Sequence, residues 1–286
     1  MTKVVLTIAG LDPSGGAGII ADIKTFSAFG CFATSAVSSI TFQNTVGVFG
    51  AEHQSAENVR RQVEPILEDF YISALKTGML PTHEVIEEVA RLVKENELGN
   101  FVVDPVVRST SGFDLIDNAA LKVLIKKLFP LSDLVTPNIP EAERIAGILI
   151  HSENDLEKAA RIMQNFGAKN VLIKGGHLFE KNISAKAYIK DKSSKIESEV
   201  GKRKAKDFLW IGNKLHIWDG EYIETNSTHG TGCTLSAAIA ANLANGKSLE
   251  ESVGVAKEFV TEAIRTSPNI GKGHSPINHL LNGFDY

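Results

Sequence analysis

The stretch Val4-Val5-Leu6-Thr7-Ile8-Ala9-Gly10-Leu11-Asp12-Pro13-Ser14-Gly15-Gly16-Ala17-Gly18 decides the fold. A short apolar run enters a glycine-rich turn. Beyond the turn Ile19, Ile20, Ile23, Phe26 and Phe29 recur at helical spacing, so Gly18–Phe29 reads as a helix. The same alternation runs down the chain. Strands are expected at Ala33–Phe42, Ile72–Lys76, Phe101–Asp104, Leu134–Thr136 and Val171–Lys174. Helices are expected at Ala56–Glu68, Glu84–Lys94, Ala119–Leu128 and Asn154–Phe166, the last with Asn154 as cap and Glu157 three residues on.

Strands alternating with helices predict an α/β fold, a central, mostly parallel β-sheet flanked by α-helices on both faces. Right-handed crossovers line up the carboxyl ends of the strands, and ligands bind at that edge in such folds. The residues expected there are Gly10 to Asp12, Gln43-Asn44, Lys76-Thr77-Gly78, Asp104, Asn138 and Lys174-Gly175-Gly176. One polar strand end means little, because strands end in turns. Six together point to a polar cleft.

Residues 184–223 break the alternation. Ser184–Ile189, Phe208–Ile211 and Lys214–Trp218 read as antiparallel ribbon strands, with Gly212-Asn213 as the last hairpin turn. Between them Asp191 to Asp207 is polar and includes Gly201-Lys202-Arg203-Lys204-Ala205-Lys206. No aromatic residue interleaves these charges, so the stretch reads as a solvated loop rather than a nucleic-acid patch. Without a repeat or linker in view, residues 1–286 are expected to form one domain.

Composition narrows the class. With 43% hydrophobic and 22% charged residues the chain is an ordinary globular protein rather than a disordered one. The net charge of −4 argues against nucleic acid as the main partner. Cys31 and Cys233, the two cysteines, cannot make a disulfide framework, which favours a reducing compartment. The start, Met1-Thr2-Lys3 before Val4–Ala9, lacks a long apolar region and a cleavage site. No apolar run is long enough to span a bilayer, so a cytoplasmic protein with no membrane partner is expected.

Three glycine motifs compete for a phosphate. Gly16-Ala17-Gly18-Ile19-Ile20-Ala21 matches a dinucleotide fingerprint, but the second strand ends at Gln43-Asn44 instead of the acid a ribose hydroxyl needs. Ala241 to Ser248 fits only a relaxed phosphate loop and follows a helix, not a strand; Ser248 and Glu251 read better as a capping box. His229-Gly230-Thr231-Gly232-Cys233-Thr234 is different, because it precedes a clear helix. Its glycines let the backbone turn sharply and present successive N–H groups at the positive end of that helix. An anion hole for phosphate or for charge developing in phosphoryl transfer fits this loop. Cys233 stands at the helix start, where a thiol pKa tends to fall, so a thiolate base is one reading. A structural glycine cap over a buried cysteine is the other.

Asp104 ends a parallel strand, where an acid can hold Mg2+ through water. Glu141, after Asn138-Ile139-Pro140, could cap a helix or hold a second metal-bound water. Lys174 ends a buried strand, and a phosphate would be a fitting partner for its charge. No H-E-x-x-H or C-x-x-C pair occurs, which argues against a zinc site.

These segments together resemble the hydroxymethylpyrimidine/phosphomethylpyrimidine kinases of thiamin biosynthesis, in the ribokinase-like superfamily. The resemblance begins at Ala9 to Gly18 and Ala21-Asp22-Ile23-Lys24-Thr25-Phe26. It continues through Gln43-Asn44-Thr45, Lys76 to Leu80, Asp104-Pro105-Val106, Thr136 to Glu141, Lys174-Gly175-Gly176-His177 and Thr228 to Thr234. Gly271 to Pro276 also recurs in the family. Single glycine motifs are unspecific; the ordered set, spanning nearly the whole chain, is highly specific.

The resemblance implies a ribokinase-like fold and two successive phosphorylations with ATP and Mg2+. The hydroxymethyl group of 4-amino-5-hydroxymethyl-2-methylpyrimidine is phosphorylated first, and the monophosphate is then extended to the diphosphate. Carried over by motif, Gln43 would hydrogen-bond the pyrimidine, whose edge matches an amide's donor and acceptor. Gly10, Asp22, Met79 and Val106 would line the same pocket. Gly230, Thr231 and Gly232 would form the anion hole, and Cys233 would be the general base. Asp104, Asn138, Glu141 and Lys174 would manage Mg2+ and the ATP phosphates. A homodimer is a family expectation, and no partner-domain sequence follows, which implies a stand-alone kinase. Arg108-Ser109-Thr110-Ser111-Gly112 would be a flap beside Asp104, and Asp191 to Asp207 an insertion near the cleft. The nearest rival is a pyridoxal kinase of the same superfamily, against which Gln43 and Met79 speak. A non-catalytic nucleotide-binding protein on the same fold is the rival from another class, and the full set of Asp104, Glu141, Lys174 and Cys233 speaks against it.

Overall fold

Six parallel strands form the middle of one sheet. The computed structural model describes residues 1–107, 115–176 and 204–281. Among these the strands are β1 (Val4–Leu11), β2 (Phe32–Gln43), β3 (Val48–His53), β4 (Ile72–Thr77), β5 (Phe101–Val103), β6 (Leu134–Val135), β7 (Asn170–Gly176), β8 (Lys204–Ile211) and β9 (Lys214–Glu221). Their order is β3-β2-β1-β4-β5-β6-β7-β8-β9. β2, β1, β4, β5, β6 and β7 are parallel neighbours, while β3, β8 and β9 add antiparallel pairings at the two sides. The chain leaves β1 for β2 on one side and later returns to β4 on the other. That reversal opens a crevice at the carboxyl end of β1, the usual place for a ligand.

The strand alternation fills two cores. Leu6, Ile8, Leu75, Val103, Val135, Val171 and Ile173 point to one face. There they meet α2 (Ala56–Asp69), α3 (His83–Glu95), α4 (Asn118–Lys127), α5 (Ile139–Ala146) and α6 (Glu153–Asn165). Val5, Ala74, Val102, Leu134, Leu172 and Leu209 point to the other. α1 (Gly18–Ala28), α7 (Thr231–Ala244) and α8 (Leu249–Arg265) cover that face. α7 is rich in alanine and buried at Ala237, Ala238, Ala240 and Ala241, so it lies close between the sheet, α1 and α8. None of the helices among the described residues is long and apolar enough to cross a membrane.

The structure moves several expected boundaries. Ser152, not Asn154, caps α6 and accepts the Asp155 N–H. Both residues precede an acid by three, but only Ser152 has the extended backbone a cap requires. Lys204–Asp207 belongs to β8 rather than to a solvated loop, because its register against Glu221 to Trp218 completes the ribbon. β3 and α5 are further elements: β3 pairs with β2, and α5 starts at Ile139 under a capping box. The expected strand Ser184–Ile189, the rest of the Asp191 insertion, the Arg108–Gly112 flap and His177 lie outside the described residues.

Candidate active site

A cleft of about 410 Å³ runs along the carboxyl ends of the parallel strands. Of the expected residues, Gly10, Gln43, Met79, Val106, Asp104, Asn138, Glu141, Lys174, Gly230, Thr231, Gly232 and Cys233 all line it. Asp22 does not. It faces inward from α1, fully buried, and holds the Lys76 ammonium at 2.9 and 2.8 Å. Strand order sets the layout. Gln43 ends β2 and Gly10 lies near the end of β1, so the amide lies over one side of the sheet; Lys174 and Gly176, on β7, lie over the other. The half-buried Gln43 amide has no hydrogen-bond partner among the described residues and is available to a ligand.

The anion loop is built by backbone geometry. Gly230 caps α7 with φ +85°, and no side chain caps this helix. The N–H groups of its first turn therefore lack intrahelical acceptors. A Cβ at Gly230 would overlap the Gly16 carbonyl oxygen, so only glycine lets the two loops pack this closely. Asp12 fastens the contact. Its carboxylate accepts Ser14 N–H and Oγ–H at 2.8 and 2.7 Å, Gly16 and Ala17 N–H at 3.2 and 2.9 Å, and His229 Nε2–H at 2.8 Å. The carboxyl terminal segment straps the other side. His274 N–H donates to the Thr45 carbonyl at 2.8 Å, two residues from Gln43, and His279 Nε2 lies 2.9 Å from Thr234 Oγ1.

Cys233 reverses one expectation. A helix start should lower its pKa, and the Gly18 N–H does favour the thiolate. Loss of hydration outweighs both that bond and the nearby Lys76 charge, and Asp22 and Asp104 add to it. The thiol is pushed up to about 11. At neutral pH it holds its proton.

Acids and a lysine gather at the other side. Lys174 Nζ donates to Asp104 Oδ1 at 2.9 Å, Thr136 Oγ1 donates to the same oxygen at 3.1 Å, and Ser236 Oγ donates to Oδ2 at 3.2 Å. Burial opposes the Asp104 charge, but the Lys174 and Lys76 ammonium groups outweigh it and hold the carboxyl below its ordinary range. Glu141 caps its own helix: its two oxygens accept the N–H groups of Asn138 at 2.8 Å and Val107 at 3.3 Å. Burial, with the Asp104 charge adding to it against Lys174, pushes its carboxyl up to about 7. Two buried carboxylates that repel each other are relieved by a divalent cation, so this donor set fits hydrated Mg2+. Among the described residues no cluster of three or more ligating side chains exists. The remaining ligands of such an ion would be water and phosphate oxygens.

The phosphomethylpyrimidine kinase family model matches residues 12–278. The chain belongs to this family. The hydroxymethylpyrimidine/phosphomethylpyrimidine kinase of Haemophilus influenzae is 42% identical over 278 residues, covering 97% of this chain and 96% of that one. The crystal structure of phosphomethylpyrimidine kinase from Clostridium difficile superposes with a TM-score of 0.75 at 39% identity, covering 92% of this chain and all of that one. An ADP complex of Bacillus subtilis pyridoxal kinase gives 0.81 at 34% identity, with 98% of each chain covered. The fold is ribokinase-like, and membership in this kinase family makes the chain a phosphotransferase that uses ATP.

Sequence reasoning missed other parts of this kinase cleft. Glu221, Tyr222, Ile223, Val260, Thr261 and Ile264 line it from β9, the segment after it and α8. Asp207 and Lys257, paired at 2.5 Å, stand nearby. The apolar periodicity of α8 carried no sign that Val260 and Ile264, part of the core packing, also line the cleft. The Asp12–His229 pair was equally hidden, because nothing local links the two residues.

Proposed function

We propose that this chain, acting as one kinase domain over residues 1–286, transfers the γ-phosphoryl group of ATP to 4-amino-5-hydroxymethyl-2-methylpyrimidine and then to the resulting monophosphate, in thiamin biosynthesis. The observation that carries this reading is the anion loop's place between two ends of one cleft. Gly230 and Cys233 touch the glycine loop after β1, beside the Gln43 side, while Gly232 faces Lys174 on β7. An alcohol bound near Gln43, Gly10, Met79 and Val106 can thus meet a phosphate held near Lys174.

Phosphoryl transfer depends on positioning and on charge stabilisation. The N–H groups of Gly230, Thr231, Gly232 and Cys233 would take the charge spread over the transferring oxygens. Lys174 would turn from Asp104 toward the phosphates, and Asn138 would keep Glu141 in place through the capping box. Mg2+, held by Asp104 and Glu141 through water, would supply neutralising charge. The substrate oxygen forms the new P–O bond, the bond to the β-phosphate oxygen breaks with its electron pair leaving on ADP, and the hydroxyl proton passes to Cys233 Sγ. With its thiol near 11, Cys233 is a strong but rarely ionised base, so the reading requires the bound state to favour the thiolate. Glu221 to Ile223 with Val260, Thr261 and Ile264 would hold the nucleobase. In the same reading the protein is a cytoplasmic homodimer, and the exposed Phe42, Val46 and Phe49 offer an apolar surface for a second copy.

ATP turnover with the pyrimidine alcohol, its monophosphate and pyridoxal tests the assignment. Higher kcat/KM for both pyrimidines than for pyridoxal supports it. Preference for pyridoxal, the substrate named by some structural relatives, would keep the fold and anion loop but overturn the pocket. Undiminished turnover by Cys233→Ala would overturn the base.

A further inference from the structure

Beneath the anion loop lies a charge pair without a task in the scheme above. Lys76, on β4, and Asp22, on α1, are both fully buried. The Asp22 carboxylate accepts two bonds from Lys76 and one, at 2.6 Å, from Thr7 Oγ1. The Lys76 ammonium has three protons, yet Asp22 is its sole acceptor among the described residues. Such pairs are no better for stability than apolar packing of the same volume. This one reaches the cleft, because Lys76 lines the same wall as Gly78, Met79 and Cys233.

The charged groups acting on Cys233 come from four elements. Lys76 on β4 favours the thiolate, while Asp22 on α1 and Asp104 after β5 oppose it. Lys174 on β7 also interacts with it but is held by Asp104. Burial works against the Lys76 ammonium, but Asp22, Cys233 and Asp104 together outweigh it and keep the charge in place.

We propose that Lys76 is a positioning residue: its ammonium, anchored on Asp22, is the counter-ion of the Cys233 thiolate, and Asp22 limits how much of that charge Cys233 feels. The kinetic consequence rests on Cys233 as proton acceptor; the electrostatic claim does not.

The two halves of the pair should act in opposite directions. The second-order rate of Cys233 alkylation by iodoacetamide, read by peptide mass in a Cys31→Ala background at pH 8.5, follows the thiolate fraction. Asp22→Asn is expected to speed alkylation at least about tenfold, because one carboxylate that opposes the thiolate is gone while Cys233 and Asp104 still support the Lys76 charge. Lys76→Met is expected to slow it by a similar factor. If Lys76→Met does not fold, the Lys76→Met/Asp22→Asn double variant buries no lone charge, and its rate should fall well below that of Asp22→Asn alone. Equal-direction changes in the two single variants, or a double variant as fast as Asp22→Asn, would overturn the proposal, since loosened packing exposes the thiol in every variant. Turnover by Cys233→Ala separates the two claims. If that variant stays active while the alkylation rates move apart as stated, the counter-ion assignment stands and the proton-acceptor reading fails. If it is inactive while the rates do not move, the counter-ion assignment alone fails.

Discussion

His229 Nε2 lies 2.8 Å from Asp12 Oδ2, joining loops that are 217 residues apart in the chain. The same carboxylate holds three backbone N–H groups of the first glycine loop. Asp12→Ala strands these donors together, so a loss of about 2–4 kcal/mol in urea unfolding is expected, with reduced kcat/KM. Burial would raise the Asp12 carboxyl, but its bonds to His229 and Ser14 outweigh that and hold it low. A lowered carboxyl stabilises above its unfolded pKa, so this contribution is present at neutral pH and fades as pH falls below about 4. Asp12→Ala should accordingly narrow its stability gap from the wild type in acid.

Gly230 tests the anion loop. A methyl group there meets the Gly16 carbonyl, and φ +85° strains any other residue. Gly230→Ala should lower kcat by about 10²–10³, the size seen when a charge-stabilising donor is lost. Steady-state turnover decides it; a change under about threefold would remove the loop from the transition state.

Lys174 should matter for both stability and ATP. Lys174→Met leaves Asp104 buried with the Thr136 and Ser236 hydroxyls as hydrogen-bond donors and only the more distant Lys76 charge. Unfolding should become easier by about 3–5 kcal/mol. Variants that remain folded should show a raised KM for ATP together with a lower kcat, measured in a coupled ADP assay.

Glu141 makes a pH signature. Its carboxyl at about 7 lies above an unfolded value near 4.5. Between these values the folded state holds a proton that the unfolded state has lost, so stability falls as pH rises. Glu141→Gln keeps a capping-box partner but cannot ionise. It should match the wild type near pH 4.5 and exceed it by about 2–3 kcal/mol at pH 8 in urea unfolding without divalent cations. Added Mg2+ should narrow the difference.

The cleft was legible because parallel strands end along one edge, and polar strand ends such as Gln43, Asp104 and Lys174 mark it directly. The glycine loops were legible for the same reason. What escaped depended on partners distant in sequence. Asp22 was assigned to the pocket by the family resemblance alone, whereas it faces inward and its partner is Lys76 on β4. Cys233 was placed in the cleft, but its raised thiol was not foreseen, because desolvation is a property of packing and outweighed the helix start. β3 was hidden by its composition, since Phe49, Glu52 and His53 are exposed and give no buried face to detect.

The central claim is two successive transfers to a pyrimidine alcohol in this one cleft. A ³¹P NMR time course with ATP, Mg2+ and 4-amino-5-hydroxymethyl-2-methylpyrimidine tests it most directly. The pyrimidine-kinase assignment predicts a monophosphate signal that rises and then gives way to the diphosphate, with ADP growing throughout. Absence of both pyrimidine phosphates, in a preparation that phosphorylates pyridoxal, would contradict it.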